Sequence, residues 1–167
     1  MPRNVEIKAR VRDWGRQRER AEAMASSREE LTQTDTFFLC ERGLLKLREF
    51  GDGSGEIIYY ERPRQAGPKT SEYQVLPVRD PAGMREVLSR ALGVRKVVRK
   101  RRTVFHVGRT RVHFDEVEGL DRFIELEVVL QPGEDEAAGE TEATRLMAAL
   151  HIEAADLIEG AYVDMTG

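Results

Sequence analysis

The chain has 167 residues, enough for one domain over 1–167 with a core or a small barrel. Charged residues make up 34% of it, yet the net charge is only −3, so both signs are abundant and long-range attraction to nucleic acid is not the expected driving force. No run reaches the length needed to span a bilayer and the start, MPRNVEIK, lacks a signal-peptide apolar region, so no membrane partner and a cytoplasmic location are expected.

Asn4 to Val11 alternates polar and apolar residues and predicts the first strand. Asp13 is placed to cap a helix over Trp14 to Ala25, and Ser27 with Glu30 reads as a capping box for a short second helix. QTDTFFLC is β-rich and ends on Cys40, the single cysteine, which excludes an internal disulfide. A turn at Arg42–Gly43 leads into LLKLREF. GDGSG, from Gly51 to Gly55, is a hairpin loop by composition, and EIIYYERP follows until Pro63 stops it. RQAGPKT reads as a loop before the strand SEYQVLPV. Met84, Val87, Leu88, Ala91 and Leu92 have helical spacing between the cap Asp80 and the stop Gly93. VVRKRRTVFHV and TRVHFDEV predict a hairpin around Gly108, and FIELEVVL predicts the last strand. A helix is expected from Glu142 to His151, then a short helix or tail in DLIEGAYVDM.

These segments number eight strand candidates, and most carry charge on one face and apolar residues on the other. Glu6 and Lys8, Lys46 and Arg48, Arg62, Glu72, Lys100 and Arg102, Arg111 and Asp115, and Glu125 and Glu127 make up the polar set. An open antiparallel sheet with a wet outer face produces this pattern, and on composition alone it is the simpler arrangement. A closed barrel wrapped by helices produces it too, with the charges inside. A mixed-sign interior would then need an occupant, a polyanion for the cations and a divalent metal for the carboxylates. The three histidines lie far apart in the chain, without zinc-ligand spacing.

NVEIK, QTDTFF, LKLR, YYERP with GPK and SEY, RKRR, HFDEVEGLDRFIELE and the terminal EGAYVDM, in this order, resemble the CYTH superfamily over nearly the whole chain. That superfamily, also called the triphosphate tunnel metalloenzymes, unites class IV adenylyl cyclases, thiamine triphosphatases and inorganic triphosphatases. The resemblance implies an α+β fold, an eight-stranded antiparallel β tunnel flanked by helices. The family's first-strand signature, Glu-x-Glu-x-Lys, stands here as Asn4, Glu6 and Lys8, so the first acid is replaced. By the same resemblance Lys8, Lys46, Arg48, Arg62, Lys69 in its loop, Lys100 and Arg102 bind substrate phosphates. Glu6, Glu125 and Glu127 are implied as ligands of Mg²⁺ or Mn²⁺, and Lys8 and Asp115 as catalytic residues. Arg62 is preferred to its neighbour Glu61 because the position calls for a cation. His113 shares a face with Asp115 and reads at least as readily as a hydrogen-bonded strand histidine as a catalytic one.

Arginine offers bidentate donors to phosphate, and Mg²⁺ or Mn²⁺ needs only a few carboxylates when phosphate oxygens complete its shell. The expected function is therefore metal-dependent hydrolysis of a small-molecule triphosphate, whether inorganic tripolyphosphate or a nucleoside or thiamine ester. A class IV-type adenylyl cyclase is the first alternative, and a non-catalytic polyphosphate or nucleotide binder, suggested by Asn4, is the second. No nucleic-acid or membrane partner is expected, and a homodimer is left open.

Overall fold

A computed structural model describes residues 2–61, 63 and 65–165 of the chain. Its strands are β1 (Arg3–Arg10), β2 (Ser27–Phe38), β3 (Leu44–Phe50), β4 (Gly55–Glu61), β5 (Lys69–Val78), β6 (Val94–Val107), β7 (Thr110–Val117) and β8 (Arg122–Val129). They close into one antiparallel barrel in the order β1-β5-β4-β3-β2-β6-β7-β8. The helices are α1 (Trp14–Met24), α2 (Pro81–Leu92), α3 (Glu136–Ala149) and the short α4 (Tyr162–Met165). Closure removes every sheet edge and sends one face of each strand inward. The sheet is thus a tunnel and not the open wet sheet.

The apolar faces explain which side of the sheet the helices cover. Val5, Ile7 and Ala9 of β1 point outward, join Val112 and Phe114 of β7 and Ile124, Leu126 and Val128 of β8, and are fully buried. Ala21 of α1 and Ala143 and Leu146 of α3 pack on them, so the main core lies outside the barrel, between sheet and helices. Gly139 lets α3 approach this closely: a Cβ there would sit 2.6 Å from Val5 Cγ2 and 2.8 Å from Leu130 Cδ2. Gln17, buried in α1, donates to the Leu150 carbonyl at 2.9 Å and accepts from the Arg12 and Asp13 amides, tying the start of α1 to the end of α3.

A second apolar cluster lies inside one end of the barrel, where Phe37, Ile58, Tyr60, Val98 and Phe123 meet Ala161 and Tyr162 of the C-terminal segment. That segment packs into this end of the barrel.

Several local expectations are corrected. Ser27 and Glu30 do not begin a helix; they lie on the outer part of β2, paired with His106 and Thr103 of β6. β6 is 14 residues long and offers a partner to every residue of this stretch, and a full ladder outweighs a local capping box. Lys69 opens β5 instead of sitting in a loop, because β1 pairs with it at Glu6. α3 begins at Glu136, not Glu142, since Asp135 caps it by accepting from the Ala137 amide at 3.1 Å. Glu72 faces solvent, and the inward residues of β5 that line the tunnel, Ser71, Tyr73 and Val75, are uncharged.

Candidate active site

The tunnel encloses a cavity of about 450 Å³ whose wall is polar through its middle. β1 contributes Asn4, Glu6 and Lys8 because its even-numbered residues face inward. The same alternation brings in Gln33 and Asp35 from β2, Lys46 and Arg48 from β3, Lys100 and Arg102 from β6, and Glu125 and Glu127 from β8. Arg111 and His113 of β7 complete the ring.

The cations converge on a carboxylate that the sequence reading passed over. Asp35 is 1% exposed; its two oxygens accept from Arg48 Nε at 2.8 Å and Nη2 at 2.9 Å, and from Lys100 Nζ at 3.2 Å, with Lys46 Nζ at 3.6 Å. Burial opposes its charge, but Arg48, Lys100 and Lys46 outweigh burial and hold its pKa well below the usual carboxylate range. The lysines feel the converse. Burial and Arg48 push Lys46 well below an ordinary lysine, and burial and Arg102 bring Lys100 to about 8. The signal for Asp35 was present in QTDTFF, where Gln33, Asp35 and Phe37 alternate inward, yet Gln and Phe beside it gave no charged stripe.

The facing wall is acidic. Glu6 and Glu127 are directly opposed across β1 and β8, as are Lys8 and Glu125. Glu127 Oε2 accepts from Asn4 Nδ2 at 2.9 Å and Arg111 Nη2 at 3.0 Å, so the neutral amide at position 4 donates to a carboxylate that a second acid there would repel. Lys8 Nζ stands 3.9 Å from Glu125 Oε2 and 3.8 Å from the centre of the Tyr162 ring, and it donates to the Gly160 carbonyl at 3.4 Å. Tyr162 therefore lies over the Lys8 and Lys100 end of the charged zone. No periodicity marked Tyr162, which comes from a four-residue helix after a loop.

Asp115 lies behind the cavity wall. It accepts from Arg102 Nε at 2.7 Å and Nη2 at 2.8 Å and from Tyr162 Oη at 2.7 Å. Burial works against its charge, Arg102 prevails, and its pKa falls to about 2. Arg102 in turn reaches within 3.9 Å of Glu125. Lys69 shares the inward side of β5 but is not part of the cavity wall; its Nζ donates to the Gln65 carbonyl at 2.9 Å. Arg62 lies outside the described residues. The structure thus brings Glu6, Lys8, Lys46, Arg48, Lys100, Arg102, Glu125 and Glu127 to one cavity.

Among the described residues, one compact group of donors could hold a cation: His113, Glu125 and Glu127, whose ligand atoms all lie within 4.8 Å of one another. Glu6 lines the cavity beside this group without belonging to it. Asn4 Oδ1 and His113 Nδ1 are buried and make no hydrogen bond among the described residues. No helix among the described residues is long and apolar enough to cross a membrane.

Comparison with solved structures places the same fold in distant proteins. The PH1012 protein of Pyrococcus horikoshii superposes with a TM-score of 0.84 at 23% identity, over 98% of this chain and 99% of that one. A Vibrio parahaemolyticus protein named as a candidate adenylate cyclase gives 0.75 at 20% identity, over 97% and 96%. The Hippeastrum protein HpAC1, a candidate adenylyl cyclase described as having a dominant triphosphatase activity, gives 0.66 at 14% identity, over 91% and 89%. No functionally curated protein matches the chain in sequence. The CYTH domain family matches residues 2–162, and the chain belongs to that family.

Proposed function

We propose that the chain binds a small-molecule triphosphate in the cavity and hydrolyses its terminal phosphoanhydride bond with the help of a divalent cation, Mg²⁺ or Mn²⁺. One observation carries this reading: Lys46, Arg48 and Lys100 are gathered on Asp35 in a cavity whose facing wall holds Glu6, Glu125 and Glu127. A row of cations held together by a single carboxylate is a site preorganised for a larger anion, and Asp35 stands where a phosphate would compete for the same donors. The triphosphatase activity described for the Hippeastrum protein agrees in direction.

The donor chemistry of the acidic wall fits a divalent cation, because Glu125 and Glu127 offer carboxylate oxygens, and Asn4, which donates to Glu127, keeps a buried Oδ1 with no hydrogen bond among the described residues. Glu6, Glu125 and Glu127 would hold it. When bound, it supplies Lewis-acid polarisation of a phosphoryl oxygen. The chain's own residues do the rest. Arg48, Lys46 and Lys100 bind the phosphate chain from the β2–β3–β6 side. Lys8 and Arg102, both near Glu125, stand between the two walls and neutralise charge on the transferring group. Asp115 acts through Arg102 and is a positioning residue. Tyr162 and the segment before it exclude water from the Lys8 and Lys100 end.

A class IV-type cyclase is the second reading. Phe37, Ile58, Tyr60 and Val98 form an apolar patch of the same cavity, and Lys46 Nζ lies 5.4 Å and 5.1 Å from the Phe37 and Tyr60 ring centres. An adenine ring would find stacking partners there. Incubation with tripolyphosphate or ATP, with Mg²⁺ or Mn²⁺, separates these readings by product: orthophosphate for hydrolysis, cyclic AMP with pyrophosphate for cyclisation. Binding without turnover would leave the module non-catalytic and sink both.

The lysine environment sets a pH dependence for binding. Burial and Arg102 hold the Lys100 pKa at about 8. A polyanion in contact favours the charged form, so the bound-state pKa is higher, and binding takes up protons above about pH 8. Affinity for tripolyphosphate is expected to fall as pH rises from 8 to 10, and more steeply in wild type than in Lys100→Arg, which stays charged throughout. Calorimetry of both proteins across this range checks it. Equal slopes in the two would show that the effect belongs to the ligand's own ionisation.

A further inference from the structure

The acidic wall contains a nitrogen donor whose position is unexplained by the fold alone. His113 is 3% exposed, in the middle of β7, directly opposite Glu125 of β8. Its Nδ1 lies 3.1 Å from Glu127 Oε1, yet the orientation makes no hydrogen bond, and among the described residues the nitrogen has no hydrogen-bond partner. Glu127 is held in place from its other oxygen, since Asn4 and Arg111 both donate to Oε2. The oxygen turned toward His113 is therefore Oε1. A structural histidine beside a carboxylate would align its N–H with that oxygen. Two neighbouring ligands on one ion do not point at each other; at metal–ligand distances near 2.1 Å, cis donors stand about 3 Å apart with their lone pairs converging on a third point.

We propose that His113 Nδ1 is a metal ligand, forming with Glu125 and Glu127 a mixed nitrogen–oxygen site that takes a first-row transition ion such as Mn²⁺ in preference to Mg²⁺. This rests on the metal-dependent reading above and narrows it. Mg²⁺ is a hard ion that favours oxygen and keeps its waters, whereas transition ions bind imidazole increasingly well along the series from Mn²⁺ to Cu²⁺. Arg111 on Glu127 and Lys8 and Arg102 near Glu125 oppose a further positive charge. Metal affinity is consequently modest in the free protein and rises when a polyphosphate draws these cations to itself.

The test uses the full chain with ¹⁵N-labelled histidine, Mn²⁺ as the probe, and pulsed EPR with and without tripolyphosphate. The expected result is one stoichiometric Mn²⁺ with coupling to a single directly bound imidazole nitrogen. His106 and His151 lie at the surface, and coupling that persists when both are replaced by Ala belongs to His113. His113→Asn should abolish that coupling and lower the ratio of Mn²⁺ to Mg²⁺ affinity by about 10-fold or more. Should His113→Asn fail to fold, the spectrum of the labelled protein with its native His113 decides alone. Stoichiometric Mn²⁺ without nitrogen coupling overturns the inference and leaves the metal-dependent reading intact. Absence of stoichiometric Mn²⁺ in both conditions removes both.

Discussion

Asp35→Asn is expected to lower the stability of the ligand-free protein by about 3–5 kcal/mol and, at the same time, to tighten its hold on tripolyphosphate about 10-fold. Asp35 is the anion on which Arg48, Lys100 and Lys46 converge inside a closed barrel. Removing its charge leaves buried cations facing one another, and breaking such a network from one side costs far more than its net worth. The melting temperature should fall on the order of 10 °C. The loss should shrink as pH rises toward about 8, because Asp35 raises the Lys100 pKa and without it Lys100 sheds its proton at lower pH than in the wild type. A polyanion in the cavity meets three donors that no longer have a competing carboxylate, so tripolyphosphate should bind more tightly and restore the melting temperature in proportion to the logarithm of its concentration. Calorimetric titration and thermal melts measure both halves. Weaker binding by a folded Asp35→Asn protein would mean that Asp35 orders the cations for the ligand and does not stand in for it.

Asp115→Ala has a similar cost for a different reason, and its effect on binding runs the opposite way. Asp115 is fully buried, takes both Arg102 donors and the Tyr162 hydroxyl, and lies behind the cavity wall. Its loss strands Arg102 and frees the tyrosine that covers Lys8. A destabilisation of about 3–5 kcal/mol is expected, together with weaker tripolyphosphate binding because Arg102 is no longer aimed. Adding Arg102→Met should return most of the stability while leaving binding impaired, since it removes the stranded charge without restoring a phosphate donor. If the double variant is no more stable than Asp115→Ala alone, the cost lies in Tyr162 and the C-terminal segment and not in the ion pair.

The charged alternation in LLKLREF, VVRKRRTVFHV and FIELEVVL reports which residues share a face, because a strand has period two whatever surrounds it. It is silent on whether that face meets water or a lumen. The answer depends on the pairing of β1 with β5, which closes the ring by joining segments more than 60 residues apart in the chain. The same limit explains Ser27 and Glu30, where a good local capping pattern yields to the partners that β6 supplies. His113 was ambiguous because its role depends on the orientation of Nδ1 relative to Glu127, a side-chain angle that no spacing encodes.

Asn4, Glu6, Lys8, Lys46, Arg48, Lys100, Arg102, Glu125 and Glu127 were legible from the sequence as inward candidates, through alternation and the order of the motifs, and strand geometry carries that information locally. Tertiary structure alone decided what each charge faces. Asp35 became the counterion of three cations, Asp115 was withdrawn behind Arg102, and Tyr162 was folded over Lys8 from the far end of the chain. The physical reason is that a charge in a barrel is stabilised or stranded by groups on other strands, at distances set by closure and register, and the sequence of its own strand contains neither.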